Sequence, residues 1–124
     1  MLVPYDRSNI SPDDKTVLIV EDDRDFAQWL LESAHAAGFK AIVTSRGHAA
    51  LMLVREFPTA AITLDITLPD LDGWKVLDRL KMDLATRHIP VFIISTSDTG
   101  PQNALKHGAV AALTKPVDKA EDRG

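Results

Sequence analysis

Short apolar runs recur along the chain, separated by segments in which apolar residues return every third or fourth position. Val17-Leu18-Ile19-Val20 is continuous and partly β-branched, the pattern of a strand buried on both faces. After Glu21-Asp22-Asp23-Arg24-Asp25 the period changes. Phe26, Leu30 and Ala34 stand four apart, with Ala37 three further on, which predicts a helix ended by Gly38. Ala41-Ile42-Val43 predicts a second strand. Ala50, Leu51 and Val54 mark a helix from about Gly47 to Glu56, stopped by Pro58. Ala61-Ile62-Thr63-Leu64 is a third strand, ending at Asp65. The loop from Ile66 to Asp72 holds Pro69 and leads through Gly73 into a helix carrying Val76, Leu77 and Leu80. Val91-Phe92-Ile93-Ile94 predicts a fourth strand, and a short helix from about Pro101 to His107 closes at Gly108. Ala111-Ala112-Leu113-Thr114 is the fifth strand, followed by Lys115-Pro116.

Strands and helices thus alternate with short connections, which predicts a parallel sheet covered by helices on both faces. In such a sheet the functional crevice lies beyond the carboxyl ends of the strands. Residues 1 to 14, with Pro4, Asp6, Ser8, Asn9, Ser11, Pro12, Asp13 and Asp14, show no period and are expected to form a flexible linker. Residues 15–124 are expected to make one domain, long enough to bury a core.

Composition narrows the partners. A net charge of −4 with no Lys/Arg stripe argues against direct nucleic-acid binding. With no cysteine, disulfides and thiolate zinc sites are excluded, and a reducing cytosol is compatible. No apolar run reaches membrane-span length and Met1-Leu2-Val3-Pro4-Tyr5 is no signal peptide, so no membrane contact is expected of this segment. The expected location is cytoplasmic, whether or not a longer parent carries an anchor. His35, His48, His88 and His107 form no i, i+4 pair of the kind that binds zinc.

The chemistry gathers at the strand ends. Strand one ends on Glu21-Asp22, strand three on Asp65, strand four on Ser95 and strand five on Lys115. Two unit charges about 4 Å apart interact by roughly 4 kcal/mol at an effective dielectric near 20. Three converging carboxylates must therefore take up a proton, pair with a cation, or both. Mg²⁺ suits them, since it uses one or two carboxylates and completes its octahedron with water and phosphate oxygens. Lys115 and Ser95 would neutralise and hydrogen-bond a phosphoryl group in transit, with Asp65 as covalent acceptor. Each residue alone has an ordinary explanation: acids favoured at a helix N-terminus, a loop-capping Asp, a solvated Lys, one of many loop Ser. Asp70 and Asp72 are read as turn residues beside Gly73.

Val17 to Asp22, Leu64-Asp65-Ile66-Thr67-Leu68-Pro69-Asp70-Leu71-Asp72-Gly73, Ile94-Ser95 and Thr114-Lys115-Pro116 resemble, in order, the signatures of response-regulator receiver domains of two-component signalling. The likeness runs from about residue 16 to 120. It implies a flavodoxin-like doubly wound sheet in the order 2-1-3-4-5. It implies Asp65 as the phosphorylated aspartate, Asp22 as a direct Mg²⁺ ligand, Glu21 acting through water and Thr67 offering its backbone carbonyl to the metal. Ser95 matches the switch hydroxyl and Lys115 the lysine that pairs with the phosphoryl group. The family further implies a cis peptide before Pro116, Thr67 and Ser97 as tuners of aspartyl-phosphate lifetime, and a phosphodonor histidine on a histidine kinase or histidine phosphotransfer domain. Self-phosphorylation and self-dephosphorylation, rather than turnover, would be its chemistry. Leu71-Asp72-Gly73-Trp74 and Arg87-His88-Ile89-Pro90-Val91 resemble receivers embedded in hybrid histidine kinases, so other domains of a longer parent are also expected partners.

Three departures stand out. Ala112 occupies the place of the family's switching aromatic ring. The stretch from Ser95 to Gly108 is about two residues short, which predicts a reduced fourth helix. Val117 to Gly124 are too few for a full last helix, which is expected to be truncated or degenerate. The first two favour, as an alternative, a receiver-like protein-interaction module with weak or no phosphorylation-dependent switching. A flavin-phosphate binder would want a Gly- or hydroxyl-rich loop after strand one, where this chain has acids. A phosphatase built on Asp65 would want a second acid two residues on, where Thr67 stands.

Overall fold

The computed structural model describes residues 10, 11, 13–96 and 100–115. Five strands and four helices follow in strict alternation: β1 (Thr16–Val20), α1 (Arg24–Ala36), β2 (Lys40–Thr44), α2 (Gly47–Glu56), β3 (Ala61–Asp65), α3 (Gly73–Met82), β4 (Val91–Ser95), α4 (Gly100–Lys106) and β5 (Ala111–Thr114). All strand pairs are parallel, in the order β2-β1-β3-β4-β5. The chain winds outward from β1 to β2, then crosses back to β3 and continues the other way. The reversal opens a crevice between the carboxyl ends of β1 and β3. The flavodoxin-like order expected from the resemblance is the observed one.

Side chains alternate between the two faces of each strand; both faces of β1 to β4 are largely buried, while the edge strand β5 is partly open, with Leu113 exposed. On one face Leu18, Val20, Ile42, Ile62, Leu64 and Ile93 pack with Leu53 and Val54 of α2 and Val76, Leu77 and Leu80 of α3. On the other, Ile19, Ala41 and Val43 meet Ala27, Leu30, Leu31 and Ala34 of α1. Each fully buried Leu or Ile contributes about 1.5–3 kcal/mol relative to an exposed one, so these two clusters hold the layers together.

The helix ends follow local chemistry. Asp23 caps α1 by accepting from the N–H groups of Asp25 and Phe26 at 3.0 and 3.2 Å. The helix therefore begins at Arg24, two residues before the first apolar position that marked it in the sequence. Gly38 and Gly108 end α1 and α4 with φ of +89° and +95°, a conformation that side chains with a Cβ rarely adopt. The reduced fourth helix is seen as well: α4 has seven residues, the shortest of the four described helices.

Of the two tryptophans, Trp74 packs against the core, whereas Trp29 is 56% exposed and leans on Phe26, ring centroids 5.4 Å apart. Ahead of β1, Ile10 packs against the core and Asp14 pairs with Lys40 at 3.6 Å. The cis peptide before Pro116, Ser97 and the final-helix segment 116–124 lie outside the described residues. Among the described residues no helix is long and apolar enough to cross a membrane.

Candidate functional site

The register of the sheet brings the strand ends to one rim. Val20 is opposite Leu64, Asp65 is opposite Ile94, and Ser95 is opposite Thr114. The residues that follow β1 and β5, Glu21 and Lys115, are thereby carried to the same edge as Asp65. Ladder hydrogen bonds continue one residue beyond the strands: Glu21 N–H donates to Thr44 O at 2.9 Å, Ile66 N–H to Ile94 O at 3.1 Å, and Lys115 N–H to Ser95 O at 2.6 Å. These bonds hold the site backbone against the rim.

Four predicted side chains converge. Glu21, Asp22 and Asp65 each place a carboxylate oxygen within 4.8 Å of the others. Lys115 Nζ donates to Glu21 Oε2 at 2.8 Å and reaches Asp65 Oδ2 at 3.4 Å. Glu21 is fully buried and Asp65 nearly so, while Asp22 opens to solvent. Thr67 joins through its backbone, its N–H donating to Asp65 Oδ1 at 3.0 Å. Ser95 is buried at the end of β4, one strand over from Asp65.

The electrostatics follow from three acids facing one ammonium. Burial pushes the Glu21 carboxyl up to about 7, reinforced by Asp65 and opposed by Lys115 and the Asp23 N–H. Asp22 is raised by desolvation and by Asp65. Desolvation works against the Lys115 charge, yet Glu21 and Asp65 together hold its pKa above the ordinary lysine value.

This donor set fits a small hard cation. Glu21 Oε1 is buried with no hydrogen-bond partner among the described residues, although Oε2 accepts from both Lys115 and Asp23. An orphaned, buried carboxylate oxygen is costly and calls for a proton or an ion. Carboxylate oxygens without sulfur or imidazole select Mg²⁺-like ions over softer metals.

Two contributors to the site were not singled out by sequence. The Phe26 ring, read as a core position of α1, lies 5.0 Å from Lys115 Nζ and backs it with its π-face. Asp23 donates its N–H to Glu21 Oε2 at 3.0 Å while its side chain caps α1. Helical spacing marks Phe26 as apolar but gives no hint that a lysine 89 positions later will lie against its ring. Beside this pair runs a groove of about 510 Å³ lined by Phe26, Trp29, Leu113, Thr114 and Lys115 together with Asp23 and Asp25.

A five-stranded parallel sheet in this order, with an acidic hollow and a lysine at its carboxyl rim, is the layout of a class of signalling domain. The family model of the response regulator receiver domain matches residues 17–122, and the chain belongs to that family. Among curated relatives, it is 34% identical to the polar-differentiation response regulator DivK of Brucella ovis over 105 residues, covering 83% of this chain and 85% of that protein. Among solved structures, the receiver domain of a Francisella response regulator superposes with a TM-score of 0.74 at 30% identity, covering 87% of this chain and 89% of that one. A response regulator from Chloroflexus aurantiacus gives a TM-score of 0.78 at 25% identity, covering 88% and 91%.

Proposed function

We propose that this receiver domain accepts a phosphoryl group on Asp65 in a Mg²⁺-dependent reaction. The observation that carries it is the convergence of three carboxylates and Lys115 on one hollow, with Glu21 Oε1 left without a partner. Glu21, Asp22, Asp65 and the backbone carbonyl of Thr67 would hold the ion. When bound, Mg²⁺ supplies positive charge that neutralises the phosphoryl oxygens.

The chain's own groups account for the rest. An Asp65 carboxylate oxygen attacks phosphorus, the bond from phosphorus to the donor's imidazole nitrogen breaks, and the imidazole leaves with the electron pair and takes a proton. Little covalent work falls to the protein, so positioning and charge dominate. The Thr67 N–H fixes the orientation of the Asp65 carboxylate. Lys115, already 3.4 Å from Asp65, pairs with the incoming charge, and Ser95 on the neighbouring strand serves as hydroxyl donor. A donor histidine on a histidine kinase or phosphotransfer domain, and a cytoplasmic setting within a larger signalling protein such as a hybrid kinase, complete the proposal.

Incubation with acetyl phosphate and Mg²⁺, followed by intact mass measurement, tests it. One phosphoryl mass is expected on the wild type, and none on Asp65→Asn or in the presence of a chelator. No gain in the wild type would refute the proposal.

A second reading, a receiver-shaped interaction module without phosphorylation-dependent switching, is favoured by Ala112. This small residue packs against the core from β5 and offers no ring to turn inward. Beryllofluoride binding followed by amide chemical shifts separates the two: shifts spreading to α4 and β5 support switching, whereas shifts confined to the hollow support the module.

A further inference from the structure

The sequence marks Asp70 as a turn residue, yet its carboxylate leaves the turn. Oδ1 accepts from the Gly47 N–H at 2.8 Å and Oδ2 from the His48 N–H at 3.1 Å, across 23 and 22 residues. These two groups open α2, a helix whose own N-cap residue, Arg46, makes no side-chain capping bond. A residue of the β3–α3 loop therefore caps a helix it does not belong to.

Packing reinforces the bond. A Cβ on Gly47 would lie 2.8 Å from Val76 Cγ2, 3.1 Å from Leu71 Cβ and 3.5 Å from Leu68 Cδ1, so the loop and α3 sit directly on the Gly47 backbone. The same loop is anchored at its other end by Thr67 N–H on Asp65 Oδ1 and by Gly73 N–H on Ile66 O at 2.8 Å. On the α2 side, Thr44, three residues before Gly47, accepts from the Glu21 N–H. Hydrogen bonds, the intervening backbone and the Asp70 carboxylate thus form one chain of connections. It runs from Glu21 through the end of β2 and the start of α2 to Asp70, and back along the loop to Thr67 and Asp65.

We propose that Asp70 is a positioning residue that sets the distance between the Thr67 segment and the acidic pair by clasping the loop to the first turn of α2. This rests on the proposed Mg²⁺ site, because Thr67 is the loop residue expected to face the ion. Asp70 touches neither ion nor phosphoryl group; it acts through the backbone of Leu68 and Pro69. Two successive N–H groups match the two oxygens of one carboxylate, and the positive end of the helix dipole favours its charge. A neutral or one-armed side chain holds the loop less well.

The test compares wild type, Asp70→Ala, Asp70→Asn and Asp83→Ala. Asp83 pairs with Arg55 at the far end of α2 and accepts from the Ala85 N–H beyond α3, so its loss perturbs the α2–α3 pair without touching the β3–α3 loop. Amide hydrogen exchange in Mg²⁺-free protein and Mg²⁺ titration followed by thermal shift are measured for each. In Asp70→Ala, exchange is expected to quicken at Gly47, His48 and Thr67, and the half-saturating Mg²⁺ concentration to rise by roughly tenfold, the low end for residues that orient ligands indirectly. Asp70→Asn, which keeps one acceptor oxygen but sets an NH2 against the other N–H, should fall between Asp70→Ala and wild type, and Asp83→Ala should leave the Mg²⁺ midpoint in place. The proposal is overturned if Asp70→Ala folds and binds Mg²⁺ with the wild-type midpoint, or if Asp83→Ala shifts that midpoint as far. A wild type without any Mg²⁺ response would instead remove the metal site on which it rests.

Discussion

At the level of single residues, the site is a charge-balance problem with Glu21 at its centre. Its carboxyl has an ordinary value of 4.5 and is pushed up to about 7 in the fold, so the folded state binds the extra proton between those values. Its contribution to stability is full below the lower value and is lost as pH rises through the upper one. Mg²⁺ needs the ionised form, so its binding competes with that proton. The Mg²⁺-induced rise in Tm is accordingly expected to be larger at about pH 8 than at about pH 6, and Mg²⁺ binding near neutrality to release protons. Glu21→Gln, which mimics the protonated acid, should raise Tm in Mg²⁺-free buffer at the higher pH and abolish the Mg²⁺ response. Lys115→Ala removes a competing cation. It is expected to strengthen Mg²⁺ binding while slowing phosphoryl gain on Asp65 by about 10²-fold or more, a combination read by thermal shift and mass-based kinetics.

At the level of elements, the β3–α3 loop is where structure and proposed chemistry depend on each other. Asp72 caps α3 by accepting from the Trp74 N–H at 2.9 Å. Gly73 sits against the strand end, where an added Cβ would come 2.5 Å from Asp65 O and Ile66 Cα. These neighbours predict different failures. Asp72→Ala should cost about 1 kcal/mol in chemical denaturation with little change in phosphorylation rate, since only the cap is lost. Gly73→Ala should cost about 1–3 kcal/mol and also depress phosphorylation, because the backbone that must move belongs to Asp65. Much of this was legible beforehand. The alternation of periods located the five strands and four helices of the described residues, and Gly38 and Gly108 ended their helices as expected. What periodicity missed was which residue caps which helix: Asp70 looks like any turn aspartate until the fold lays it on α2.

At the level of the whole molecule, acid repulsion at the rim is a strain that the two buried clusters must carry. An ion bound only to the folded state would relieve it. Mg²⁺ at 100 times its dissociation constant is expected to raise unfolding free energy by about 2.7 kcal/mol, measured by urea titration with and without the ion. Helices on both faces of a parallel sheet and the gathering of Glu21, Asp22, Asp65, Ser95 and Lys115 at one edge were legible in the sequence pattern, while the sheet order came with the family resemblance. Strand ends are local features, and a parallel winding sends every carboxyl end the same way. Tertiary structure decided who faces whom. Lys115 lies nearer Glu21 than Asp65, 94 residues away in the chain, and rests on Phe26, while Trp29 stays in solvent and Asp70 reaches α2. A hydrophobic pattern records which side of an element is buried. The partner across the gap is set by packing and register, which only the folded chain possesses.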